Sequence, residues 1–86
     1  MATVFIPSLL RPLTEGATTL QVPGRTLREV ISNLGQGHAE LRDRIVDAGG
    51  IRPEIMIAID SDEAFDLNAP VADDAEVHIL PAIAGG

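Results

Sequence analysis

An α+β fold, with one main helix lying across a mixed sheet, is predicted by three features of this sequence. Short alternating apolar runs sit near both ends of the chain, a single i, i+3, i+4, i+7 apolar stripe separates them, and turn residues divide the remainder into further short strands. Residues 2–7 read as a strand with Val4 and Ile6 on one face and Thr3 and Phe5 on the other. Pro7 cannot donate to a ladder and marks its end. Ser8 to Gly16 reads as a loop, with some of Leu9, Leu10 and Leu13 tucked under the sheet. Residues 17–22 alternate again, with Leu20 and Val22 inward, and make a β-hairpin with the first run.

Pro23-Gly24 is a turn signal. Thr26 opens a capping box, since Glu29 follows three residues later and can reach back to the Thr26 amide. Leu27, Val30, Ile31 and Leu34 form the stripe of a helix packed on a core, and Gly35 is placed to terminate it as the C′ residue. A second helical piece over 39–47 turns Leu41, Ile45 and Ala48 inward and Glu40, Arg42, Asp43 and Arg44 to water, and Gly49-Gly50 ends it. Ile55, Ile57 and Ile59 face inward on the next strand. Asp60-Ser61-Asp62 turns the chain into an edge strand over 63–67, a turn-rich connection covers 68–75, and 76–80 is the last strand.

The order is β-β-α-(α)-β-β-β. If the last strand lies parallel beside the first, their connection has to cross over through the helix. That is the β-grasp, or ubiquitin-like, layout, here with a sheet of four to five strands. Residues 1–80 are expected to form the domain and 81–86 a flexible C-terminal Gly-Gly tail.

A chain of 86 residues makes one small domain, burying about 60–65% of the surface its unfolded form exposes. Its 45% hydrophobic content supports one core, but not a deep catalytic cleft as well. Cysteine is absent, which rules out a disulfide framework, a thiolate nucleophile and a cysteine-based metal site, and fits a reducing compartment. No basic start followed by an apolar region marks a signal peptide, and no apolar run approaches the roughly 18 residues of a membrane helix. The expected location is the cytoplasm.

Thirteen acidic residues against six basic ones give a net charge of −7, which sets nucleic-acid binding aside. Solubility accounts for most of that charge, and an acidic surface also suits a partner with a basic docking face. All six basic residues are arginines. With no lysine, the chain has no ε-amine of its own that could attack an activated acyl group.

No catalytic constellation is present. The run from Asp60 to Asp66 resembles the start of a calcium loop but lacks its glycine at position 6 and glutamate at position 12. His38 and His78 are too isolated to form a metal site. Ser8, Ser32 and Ser61 have no nucleophile-elbow glycines, and there is no phosphate-cradling glycine-rich loop.

The informative stretch is the tail, Pro81-Ala82-Ile83-Ala84-Gly85-Gly86. Extended, its six residues reach roughly 20 Å, far enough to enter another protein's active site. Gly85 and Gly86 lack Cβ, so a narrow channel can close around them. The plain alternative is a flexible end or a cloning remnant, but the residues such a remnant usually carries are missing and no polar linker precedes the glycines. The Gly86 carboxylate is therefore the candidate reactive group. Strand alternation adds a candidate docking face, because Phe5, Met56, Ala58, His78 and Leu80 fall opposite the isoleucine side of the sheet. Scattered surface apolar residues are the equally plain alternative there.

The ending Asp-Ala-Glu-Val-His-Ile-Leu-Pro-Ala-Ile-Ala-Gly-Gly, on a lone β-grasp domain, resembles the ubiquitin-like sulfur carriers of the MoaD/ThiS family. The opening Ile6-Pro7-Ser8-Leu9-Leu10-Arg11-Pro12, with Thr14 and Gly16, is similar in particular to the cysteine-biosynthesis (CysO-type) carriers. Asp73-Asp74 departs from the Asp-Gly frequent in the family before the last strand, which affects only the detail of that turn. The resemblance implies a protein co-substrate rather than an enzyme. An E1-like enzyme using ATP and Mg²⁺ would adenylate Gly86, and a sulfur donor would convert it to a thiocarboxylate. Pro81, Ala82, Ile83, Ala84 and Gly85 would thread into partners. For the CysO type these include a PLP-dependent cysteine synthase and a metallopeptidase that releases cysteine. The small subunit of molybdopterin synthase, a ubiquitin-like modifier and a plain interaction domain are the alternatives.

Overall fold

The structure, a computed structural model, describes residues 1–81, so Ala82, Ile83, Ala84, Gly85 and Gly86 lie outside the described residues. Strand β1 (Ala2–Phe5) is shorter than the expected 2–7, although the Ile6 amide still donates to Thr18 O at 2.9 Å and its side chain is buried. Ser8–Thr14 is a 3₁₀ helix where a loop was expected. Pro7 leads into it, the Leu10 amide bonds to Pro7 O at 2.9 Å, and the Thr14 hydroxyl is shared between the carbonyls of Arg11 and Ala17. Leu10 is buried and Leu13 packs against the core, whereas Leu9 is 73% exposed. Strand β2 (Thr19–Val22) completes the hairpin, Ala2 opposite Val22 and Phe5 opposite Thr19.

Helix α1 (Leu27–Gly37) starts as its cap residues dictate, with the Glu29 amide donating to Thr26 Oγ1 at 3.2 Å. The Glu29 carboxylate reaches back to the Arg25 amide at 3.0 Å, one residue earlier than expected, where the chain ahead of the helix is extended and bridged to Pro70. Gly35 does not end the helix. It is buried inside it, and a Cβ there would fall 2.5 Å from Arg42 Cδ, so the residue is small because the second helix crosses at this point. The actual cap is His38, whose amide bonds to Leu34 O at 3.0 Å.

Helix α2 (Ala39–Ile45) buries Leu41 and Ile45 completely but ends two residues before the expected 47. Val46–Asp47 is strand β3, paired with strand β4 (Gly50–Ile51). Gly49-Gly50 therefore belongs to a small hairpin, and Ala48 is exposed at its tip instead of facing inward. The Asp47 carboxylate accepts the Gly49 amide at 2.8 Å, the local side-chain bond that competes with helix continuation.

Strand β5 (Ile55–Ile59) and strand β6 (Asp62–Ala64) form a hairpin, with Asp60, at φ 56°, and Ser61 as its loop. The expected edge strand over 63–67 is displaced. It starts at Asp62 and stops at Ala64, leaving Phe65 exposed and Leu67 turned onto the core. Strand β7 (Glu76–Pro81) runs one residue past the expected strand end at Leu80.

The sheet order is β2-β1-β7-β5-β6. β7 lies parallel to β1, with Val4 opposite Val77, and antiparallel to β5, with Ile57 opposite Ile79. The crossover this parallel pair requires runs through the helices, which is the β-grasp arrangement. Alternation gives the sheet one inward face (Val4, Ile57, Val77, Ile79), onto which α1 sets Leu27, Val30 and Leu34 and α2 sets Leu41 and Ile45. Each such fully buried side chain is worth roughly 1.5–3 kcal/mol relative to exposure, so helices and sheet hold one another in place.

Candidate functional site

The outward face of the sheet carries the predicted docking residues together. Register aligns Thr19, Phe5, His78, Ala58 and Glu63 in one row across all five strands. The Phe5 and His78 rings stack in this row, with centroids 4.3 Å apart and planes 5° from parallel. Leu80 opposite Met56 forms the row nearer the tail. Leu80 is 43% exposed, while Phe5, Met56, Ala58 and His78 are half-buried against each other. Toward the other end the face turns polar, with Gln21 donating to Thr3 at 2.9 Å and His78 Nε2 lying 3.3 Å from Glu76 Oε1.

No arginine or lysine occurs after Arg52, and the end where β7 begins carries Asp60, Asp73 and Glu76 together with the N-terminal amine. Asp60 and Glu76 are tied there by two bonds, amide to carbonyl at 2.7 Å and amide to carboxylate at 3.1 Å. The N-terminal amine pairs with Asp73 at 3.1 Å. The run resembling a calcium loop is thus used in turns, since Asp66 also accepts the Asn68 amide at 2.8 Å. Among the described residues no group of three or more His, Asp or Glu side chains is placed to hold a metal ion.

The opposite end of β7 is the root of the tail. Ile79 is buried, Leu80 points outward, and Pro81 closes the strand opposite Ile55. Gly86, expected to be the reactive residue, and Ala82, Ile83, Ala84 and Gly85, expected to thread into partners, lie outside the described residues. Beside Pro81 a groove of about 220 Å³ opens between Pro7, Leu9, Leu10 and Ile55, with Arg44 and Glu54 as its charged members. The Arg52 Nε bonds Glu54 at 3.2 Å. A bond from the Glu54 backbone amide, aided by Arg52, holds the Glu54 carboxyl below the ordinary carboxylate range. Sequence reasoning missed this groove. Its one visible signal is the Leu9-Leu10 pair, because a short segment covering a core cannot turn two successive leucines inward.

The ThiS family profile matches residues 4–86 of the sequence. The chain belongs to the ThiS family. It is 38% identical over 90 residues to the sulfur carrier proteins CysO of Mycobacterium bovis and Mycobacterium tuberculosis, spanning 98% of this chain and 97% of theirs. Its structure matches that of CysO in the Amycolatopsis orientalis BexX/CysO complex, with TM-score 0.91, 31% identity and full coverage of both chains. Mycobacterium tuberculosis CysO matches with TM-score 0.90 and 31% identity over 96% of this chain and 100% of that one. Small archaeal modifier protein 1 of Methanosarcina acetivorans shares the fold, with TM-score 0.83 at 23% identity over 99% of this chain and 95% of that one. The resemblance carried by the tail and by Ile6–Pro12 thus holds as a ThiS-family assignment on the CysO side. Among its described residues this ThiS-family chain has no helix long and apolar enough to cross a membrane.

Proposed function

We propose that the chain is a sulfur carrier acting through the Gly86 carboxylate, most directly in cysteine formation. The observation that supports this best is the match to the ThiS family, which continues through residue 86, on a body whose last strand delivers the tail at one end of the sheet. A carboxylate with a pKa of about 3.5 is ionised and a poor electrophile, so it has to be activated before sulfur can enter. An E1-like enzyme with ATP and Mg²⁺ would join the Gly86 carboxylate to AMP with release of pyrophosphate. A sulfur donor would then form the C–S bond as AMP leaves. The thiocarboxylate sulfur, still bonded to the Gly86 acyl carbon, would attack an electrophile held by a PLP-dependent cysteine synthase, leaving the new cysteine joined to Gly86. A metallopeptidase would hydrolyse that acyl bond with water, freeing cysteine and restoring the Gly86 carboxylate.

In this scheme the chain is a co-substrate, and the catalytic groups, ATP, Mg²⁺ and PLP belong to its partners. Its own residues bind and present. Phe5, Met56, Ala58, His78 and Leu80 form the docking face, and Pro81 to Gly85 thread a narrow channel where the absence of side chains at Gly85 and Gly86 lets the channel close on backbone. A reducing cytoplasm is the fitting location, since a thiocarboxylate is readily oxidised. The test is ATP–pyrophosphate exchange by the E1-like enzyme of the same organism. Exchange is expected with the full chain and lost when Gly86 is deleted or one residue is appended after it. Exchange that survives both changes overturns the assignment.

A further inference from the structure

The groove beside Pro81 is separate from the outward face, because strand alternation sends Leu80 to one side of the sheet and Pro81 to the other. Two of its features are available to a partner. Leu9 is 73% exposed, yet it is rigidly presented, since buried Leu10 follows it and the Leu10 amide and Arg11 Nε bond back to Pro7 O and Ile6 O at 2.9 and 3.1 Å. The Arg44 side chain makes no ion pair or hydrogen bond among the described residues, whereas the other charged member, Glu54, is satisfied by Arg52. The groove therefore offers an apolar slot and one unmatched positive charge at the root of the tail.

We propose that this groove is a second partner contact, in which the activating enzyme seats an apolar side chain against Leu9, Pro7 and Ile55 and a neighbouring carboxylate against Arg44. The inference rests on the sulfur-carrier reading. An enzyme that draws in the tail has to press the rim of its channel against the tail's root, and that root has the apolar face on one side and this groove on the other. Charge complementarity selects the occupant. An acidic side chain is unfavourable near the Asp60–Glu76 end of the domain and favourable beside Arg44. The contact would distinguish activating enzymes that carry such an apolar–acidic pair from those that do not.

The test compares Leu9→Ser and Arg44→Glu with the unmodified chain in thiocarboxylate formation by the E1-like enzyme of the same organism, with circular dichroism melts as the folding control. Both side chains are exposed, so the Leu9→Ser melt should be unchanged, and the Arg44→Glu melt should fall by only a few degrees because the charge lies in the last turn of α2. Each variant is expected to raise the apparent KM for the carrier about tenfold, with kcat within about twofold, and the Arg44→Glu effect should shrink at high salt. Unmoved KM values, with the unmodified chain turning over, overturn the inference alone. A fall in KM shows instead that the groove holds the chain's own tail, and this also overturns it. An unmodified chain that forms no thiocarboxylate overturns the sulfur-carrier reading and this inference together.

Discussion

Replacing Phe5 by Asp separates docking from folding. Phe5 is half-buried on the outward face, and its main partner is the His78 ring at 4.3 Å. The inward core does not depend on it, because Val4 and Ile6 on either side carry the packing of this segment. Losing the stack costs about 0.5–1.5 kcal/mol, and exchanging an aromatic for Asp in a strand costs up to about 1 more. A domain of this size has on the order of 4–13 kcal/mol of stability, so the variant stays folded with its melting temperature lowered by roughly 4–8 °C per kcal/mol. Binding should suffer far more, because a carboxylate at the centre of an apolar contact has to be desolvated without a partner. A central contact residue is worth 2 kcal/mol or more, which corresponds to a rise of about 30-fold or more in apparent KM for the activating enzyme. Initial rates of thiocarboxylate formation across carrier concentrations, with thermal melts in parallel, give both numbers. A folded variant with unchanged KM would remove the outward face from the docking scheme.

Gly24→Ala should be among the most damaging small changes in the chain. Gly24 has φ 152°, and a Cβ there would lie 2.7 Å from the Val30 amide nitrogen and 2.8 Å from Val30 Cγ2. Strain of about 1–3 kcal/mol and a clear drop in melting temperature are expected, and a melt within about 1 °C of the unmodified chain contradicts the geometry. Thr26→Ala removes the bond to the Glu29 amide and should cost about 1 kcal/mol by urea unfolding, with Thr26→Ser restoring most of it. Glu54 has a lowered folded-state pKa, so its ionised form favours the folded state above the ordinary carboxylate range, and this contribution fades as pH falls through the folded value. Glu54→Gln should therefore melt slightly below the unmodified chain at neutral pH and level with it in acid. The effect is small because the group is solvated, and a gap that widens in acid reverses the sign of the argument.

Where apolar period and turn chemistry agree, the fold was legible from the sequence. The Leu27-Val30-Ile31-Leu34 stripe, the Thr26 cap and the alternation of the first and last strands each have one arrangement that buries the apolar side, and the structure adopts it. The misreadings share a different origin. Gly35 reads as a helix stop because its small size is explained only by Arg42, seven residues later and on another helix. Val46 and Asp47 continue the helical pattern until Gly50 and Ile51 supply a strand partner, a pairing that local propensity does not contain. The 3₁₀ turn from Ser8 to Thr14 depends on Thr14 finding the Arg11 and Ala17 carbonyls. The outward face followed from counting odd and even positions, because period 2 leaves no freedom once the inward set is fixed. The groove at Pro81 joins four segments distant in sequence, and no period connects them.

The most direct measurement is the intact mass of the chain after incubation with its activating enzyme, ATP and a sulfide source. Exchange of one oxygen for sulfur at Gly86 should add about 16 Da, with fragmentation placing the gain on the last residue. An unchanged mass, or a gain located anywhere else in the chain, contradicts the claim that this protein works through its terminal acyl carbon.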